Sequence, residues 1–448
     1  MRKFGWLSVV VALCLVGVAC GSRKSESSGG GGTSDTTAAA AAAGTFGTLT
    51  NVCGPGDAKG ATAQGVTDTE IRVGTVADPG YTGAPGLDQE LFDTAKAFSE
   101  WCNDAGGIQG RKIKVDYLDA ALFNYKDRIT EACAQNFSLV GGGAVLDDTG
   151  SQDRVDCGLP DIAGYVVSAQ ATGADLLYQP LPNPVNVQQI GDYNFVTGKD
   201  PSLKSAVGIL TANFAATKLT ADKIKAAYEK VGSTIVYQAD YNPTGEANWA
   251  PFVSAMKSAG VKTLYFVGEY NNLVALQKSM NDQGWFPEAT FTPPSFYDDS
   301  YVATGGATAK NTYMAIVFHQ FAEASKYPAV QQYLDILAAS GPKKKPAMLG
   351  MQAFSAWLMF AKVAASCGSN LTRDCLLTGA GQVSDWTGGG LHSASNPGKN
   401  EPANCVAVLQ VTPTGFTQID PGSSDGFTCS PDNLVSISID APAGAKKK

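Results

Sequence analysis

Residues 70–78, EIRVGTVAD, and residues 102–120, CNDAGGIQGRKIKVDYLDA, flank a helix-length amphipathic stretch, and their reading decides the fold. Ile71, Val73 and Thr75 alternate with Arg72, Gly74 and Val76 until Asp78-Pro79-Gly80 stops the run, the pattern of a short strand ending in a turn. The period then changes. Leu91, Ala95, Phe98 and Cys102 recur at four, three and four residues, one stripe of a helix for which Asp88 is a candidate cap. Gly106-Gly107 ends that helix, and Ile113, Val115 and Tyr117 alternate again. Strand, helix and strand in this order predict a βαβ unit with its two strands parallel in one sheet.

Working outward, a helix over 128–137, a strand around Leu139 and a strand over Ile162–Val167 extend the same sheet. Gln179-Pro180-Leu181-Pro182-Asn183-Pro184 can continue neither a helix nor a central strand, so 178–185 reads as a crossover. A second alternating series follows: strand 206–210, helix 221–231, strand 234–237, helix 249–259, strand 263–267 and helix 273–282. The fold class is therefore α/β, with two similar Rossmann-like lobes.

The remaining signals bound the function. The formal net charge of −8, with no basic run longer than Lys343-Lys344-Lys345 or Lys446-Lys447-Lys448, argues against a nucleic-acid partner; both runs read as solvated. Arg2 and Lys3 precede an apolar run from Trp6 to Ala19, too short to span a membrane comfortably and suited to a signal peptide. Residues 21–50 are mostly Gly, Ser, Thr and Ala and cannot repay chain entropy. They read as a tether with a span of roughly 30 Å, continued as linker to residue 65. Beyond Cys20 stand eight cysteines in an exported chain. Of the roughly 100 possible pairings, their clustering favours Cys53–Cys102, Cys133–Cys157, Cys367–Cys375 and Cys405–Cys429. With no CxxC and only His319 and His392, no metal site is expected. No G-x-S-x-G elbow, phosphate loop or H-E-x-x-H occurs, so neither an enzyme nor a cofactor is expected.

The Ala105–Ile113 turn, AGGI-x-G-R-K-hydrophobic, in this order of elements and behind an export signal, resembles the type I periplasmic binding proteins of branched-chain amino-acid ABC importers. The resemblance implies two lobes joined by three hinge crossovers. Lobe 1 would comprise 66–182 and 313–387, with a return near Met314–Phe318 and a last crossing near Trp386–Gly390. Lobe 2 would comprise 183–312 and 388–440, ending in a strand over Val406–Val411, and 441–448 would be a basic tail. Val18-Ala19-Cys20 resembles a lipoprotein box, with Gly17 where Leu is usual, and implies a lipid anchor on Cys20 at the outer face of the cell membrane. The implied partners are a small solute and a membrane permease, and the implied state is a monomer.

Ligands of such sheets bind beyond the carboxyl ends of the strands. The loops there offer Tyr81, Asp147, Asp148 and Tyr165 from the first lobe, and Phe214, Glu269, Tyr270, Ser295 and Tyr297 from the second. Relatives bind an amino-acid carboxylate with first-lobe hydroxyls and amides, and its ammonium with a second-lobe acid. Here the matching positions are Leu146-Asp147-Asp148, Tyr165-Val166-Val167 and Ser295, with Glu269 as a substitute acid. The expected ligand is a small polar or amphipathic solute, an amino acid or amide among them. Two alternatives share these residues: a surface sensor of the same fold, and a hydrolase using Asp147, Asp148 and Glu269 as acid and base.

Overall fold

The computed structural model describes residues 44–342 and 344–447. The export signal, Cys20, residues 21–43, Lys343 and Lys448 lie outside the described residues.

The first sheet has five parallel strands: β1 (Glu70–Ala77), β2 (Lys112–Asp119), β3 (Leu139–Val140), β4 (Asp161–Ile162) and β5 (Leu177–Tyr178), in the order β2-β1-β3-β4-β5. Between them run α1 (Gln89–Asp104), α2 (Tyr125–Gln135), α3 (Ser151–Asp156) and α4 (Ala169–Thr172). Helix α1 buries the expected stripe of Leu91, Ala95, Phe98 and Cys102. Its closing turn needs glycine at 107, where φ is +83° and a Cβ would lie 2.2 Å from the Arg111 carbonyl oxygen. The strand expected over Ile162–Val167 stops after two residues, because the chain bends at Gly164 to hydrogen-bond the Gly142 carbonyl.

The first crossover carries β6 (Val187–Gln189) into α5 (Gly191–Lys199). The second lobe then alternates β7 (Val207–Ala212), α6 (Ala215–Lys230), β8 (Ile235–Tyr241), α7 (Ala250–Ser258), β9 (Thr263–Val267), α8 (Tyr270–Asp282), β10 (Ala289–Phe291), α9 (Asp299–Gly305) and β11 (Thr312–Ile316). These five strands are parallel. Strand β11 corrects the expected return to lobe 1 near Met314: it pairs with β10 on one side, and residues 313–316 pair with the later strand β12 on the other. The chain leaves the second sheet only after Ile316.

Back in the first lobe lie α10 (Pro328–Ala339), α11 (Met348–Cys367) and α12 (Arg373–Ala380). Helix α11 is long and apolar enough to cross a membrane, yet most of it is buried. It is a core helix, and its Trp357 stacks on Phe98 of α1 at 5.5 Å. The segment 386–390, expected to be the last crossing, stays on this lobe, since Trp386 donates to Ser355 of α11 and Gly389 accepts from Thr48. The crossing follows it, with Ser393 bonded to Val317 and Ser395 to Pro180, so the three crossovers lie side by side. Antiparallel β12 (Cys405–Thr412), β13 (Gly415–Gln418) and β14 (Thr428–Cys429) complete the second sheet, and β15 (Leu434–Ser436) pairs with β6.

Four disulfides join Cys53 to Cys102, Cys133 to Cys157, Cys367 to Cys375 and Cys405 to Cys429. Three expectations are corrected. Residues 44–65 are not linker: Phe46 and Val52 are fully buried, Phe46 packs on Phe354, and Cys53 is stapled to α1. Lys344 is not free in solvent but is held against Asp93 of α1. Residues 441–447 are not a free tail, because Ala445 is buried and its backbone bonds to Gln170 and Asp175 of the first lobe.

Candidate functional site

The carboxyl ends of both sheets open on one cavity of about 400 Å³. Tyr165–Val167, beyond β4, forms its first-lobe wall, and Thr292–Ser295, beyond β10, forms the opposite wall. Gln179–Pro184, Val317 and Ala403, one from each crossover, close the back, and Met348, Leu349 and Gln352 of α11 contribute from the side. A larger hollow of about 760 Å³ lies between α5, β12 and 428–436. It is lined by the second lobe and the β15 segment alone, with no residue of the first lobe.

Local bracing fixes the first-lobe wall. Gly143 has no Cβ because the Tyr165 ring would lie 2.3 Å from one. The Tyr165 hydroxyl donates to Asp88 at 2.5 Å. Asp88 stands at the start of α1 but leaves that helix uncapped. Burial pushes its pKa to about 8, with further repulsion from Glu90, Asp78 and Glu269. Asp147 is 1% exposed and accepts from the Val167 and Ser168 amides at 2.9 and 3.1 Å. Burial raises it to about 6 against those bonds. It is a brace behind the loop, outside the cavity lining.

The second-lobe wall brings in groups that the strand-end rule did not reach. Lys223, on α6, is 4% exposed and donates to the Asn183 Oδ1 at 2.7 Å and the Pro184 carbonyl at 2.8 Å. Burial lowers its pKa to about 8. Asp192, near the start of α5, is buried and raised to about 6, with backbone amides of Tyr193 and Ala315 drawing it down. Gln179 and Thr292 each bury a side-chain oxygen that has no hydrogen-bond partner in the protein. A polar atom buried in this way costs free energy until something in the cavity meets it.

Of the nine residues expected at the site, Tyr165 and Ser295 line the cavity. Glu269 begins α8, where solvent reaches it, but it sits in a crevice facing Asp88 and Glu90 across the lobes, and burial raises its pKa. Tyr270 packs beside Tyr301, and Tyr81 meets Phe123 edge-on. Phe214 is 38% exposed at the start of α6, and Asp148 is exposed on the turn before α3. Tyr297 accepts from the Phe321 amide and packs on Phe416, in the core beneath the second crossover. Lys223 had a signal in the sequence: it shares a helix face with Ile224 and Ala227, where a lysine is out of place.

The profile of the periplasmic binding protein family matches residues 198–416. The Leu/Ile/Val-binding protein homolog 3 of Brucella melitensis is 26% identical over 283 residues, 60% of this chain and 72% of that protein. Among solved structures, a fatty acid ABC transporter substrate-binding protein from Thermomonospora curvata superposes with a TM-score of 0.68 at 14% identity, covering 85% of this chain and 97% of that one. The isoleucine-bound branched-chain amino-acid transporter substrate-binding protein of Streptococcus pneumoniae gives 0.61 at 16% identity, covering 79% and 100%. With two α/β lobes, three adjacent crossovers and a cavity between the lobes, the chain has the fold of the type I periplasmic binding proteins, and its residues 198–416 match the periplasmic binding protein family.

Proposed function

We propose that this chain is the extracytoplasmic receptor of an ABC importer, exported, anchored through Cys20, and delivering a small polar or amphipathic solute to a permease. The observation that carries the reading is the cavity of about 400 Å³, lined by both lobes and by all three crossovers. A solute there bridges the lobes and favours the closed state by its differential affinity for that state, and the permease reads the closed shape. The names of the relatives make amino acids the first solutes to test. The first-lobe amides of Val167 and Ser168, however, are already given to Asp147, so an amino acid would have to be held differently here.

Thermal-shift screening of amino acids, amides, polyols and small acids, followed by small-angle scattering, tests the reading. A solute at a hundred times its dissociation constant stabilises the fold by about 2.7 kcal/mol and reduces the radius of gyration. A screen in which every hit leaves the scattering curve unchanged would sink the closure mechanism.

A further inference from the structure

We propose that the inter-lobe cavity is an anion site, taking a small monocarboxylate with an apolar body, and that Lys223 is its counter-ion. This rests on the solute-binding reading and narrows it.

Lys223 has three ammonium protons. Two go to neutral acceptors, Asn183 Oδ1 and the Pro184 carbonyl, and one remains. Neutral acceptors orient the ammonium without cancelling its charge. No carboxylate pairs with it among the described residues, and burial alone moves its pKa, where a nearby acid would push the other way. Buried lysines are usually paired, so a charge lining a solute-sized cavity points to an anion from outside the chain. Asp192, the other charged group in the lining, is bonded to backbone amides of Tyr193 and Ala315.

Two further observations agree. Gln179 and Thr292, 3% and 2% exposed, line the same cavity with side-chain oxygens that lack a partner. The Thr292 hydroxyl can donate to a carboxylate, and Gln179 can accept from a hydroxyl or amine on the same solute. The first lobe has no such offer, because Asp147 already occupies the Val167 and Ser168 amides. Leu181, Val317, Met348 and Leu349 supply the apolar remainder of the wall.

The experiment is calorimetry at pH 7 with matched acid and amide pairs: hexanoate and hexanamide, benzoate and benzamide, 4-hydroxybenzoate and 4-hydroxybenzamide, L-leucine and L-leucinamide. In the wild-type chain, the acid of at least one pair should bind tenfold or more tighter than its amide. Lys223→Met should reduce that preference to about threefold or less by weakening the acid alone, and Lys223→Arg should retain most of it. A lysine that only held Asn183 and Pro184 in place would weaken acid and amide together. If Lys223→Met does not fold, the wild-type ratio and Thr292→Val, which should weaken the acid, carry the test. Amides that bind as tightly as acids, or an acid preference that survives Lys223→Met, overturn the anion site and leave the solute-binding reading standing. Silence from all eight compounds overturns the anion site as well. Silence extending to the wider thermal-shift screen removes both.

Discussion

Asp88 is the residue at which the inter-lobe cleft and the stability of the fold meet. Its carboxyl accepts from Tyr165 behind the cavity wall, faces Glu269 across the lobes, and has its pKa pushed to about 8 by burial. In the unfolded chain it ionises near 3.8. The folded state therefore holds this proton more tightly, and the stability that follows is complete below pH 4 and is lost as pH rises through 8. Asp147, Asp161 and Asp192, each raised to about 6, act in the same direction but finish titrating earlier. Between pH 6.5 and 8.5 Asp88 loses its proton while Lys223, lowered to about 8, acts in the opposite direction, so the Asp88 share is the difference between wild type and a variant at position 88. Asn at this position keeps the acceptor for Tyr165 without the charge. Asp88→Asn should make the slope of urea midpoint against pH more positive than in wild type over that interval and gain on the order of 2 kcal/mol at pH 8.5. Equal slopes for variant and wild type would show that Asp88 does not carry the effect. His392 works in the opposite sense: buried between Ser355 and the Ser393 carbonyl, it is lowered to about 4. Its contribution is present above 6.5 and lost as pH falls toward 4. His392→Gln should therefore lose less stability than wild type between pH 6.5 and 4.5, measured by the same unfolding midpoints.

At the scale of elements, β12 shows how local and distant signals divide. Cys405–Cys429 joins it to β14 and closes a separation of 24 residues. By loop entropy, replacing both cysteines with serine should cost roughly 3 kcal/mol. Thermal unfolding should show the loss, and a melting temperature within a degree of wild type would contradict it. The strand itself was legible, because Val406, Val408 and Leu409 form an apolar run bounded by cysteine and turn residues. Its neighbour β11 was expected only as a return to the first lobe near Met314–Phe318, not as a member of the second sheet. Thr312–Ile316 is almost wholly buried, and such a run suits the interior of either sheet. Its membership is decided by pairing with β10 and β12, a long-range fact absent from the local pattern. The site divides in the same way. Tyr165 and Ser295 follow strands and were found by that rule, whereas Lys223, Gln179 and Thr292 reach the cavity from a helix, a crossover and a loop rim. Only the three-dimensional arrangement of the crossovers brings those three together.

For the whole molecule, residues 437–447 matter because they touch both halves of a protein proposed to work by closing. Ile437 donates to the Asn186 carbonyl beside the first crossover, and Ile437 and Ile439 pack with the second-lobe core. Further along, Ala445 exchanges backbone bonds with Gln170 and Asp175, and Lys446 pairs with Asp175 at 3.1 Å. The approach is close enough that a Cβ on Gly444 would lie 2.0 Å from the Gly173 carbonyl oxygen. This is a fourth passage between the lobes, held by hydrogen bonds, and wide opening must either carry it along or peel it from α4. A chain stopped after Ile439 loses the first-lobe half of that contact while keeping the β6–β15 pair. It should have a larger ligand-free radius of gyration and faster hydrogen exchange at the Asp175 amide, with a stability loss of about 1–2 kcal/mol for the few hydrogen bonds removed. Solute should bind it more weakly, since closure would start from a wider ensemble. If Asp175 exchanges at the wild-type rate and the scattering curves overlay, the segment rides passively on the first lobe and does not limit opening.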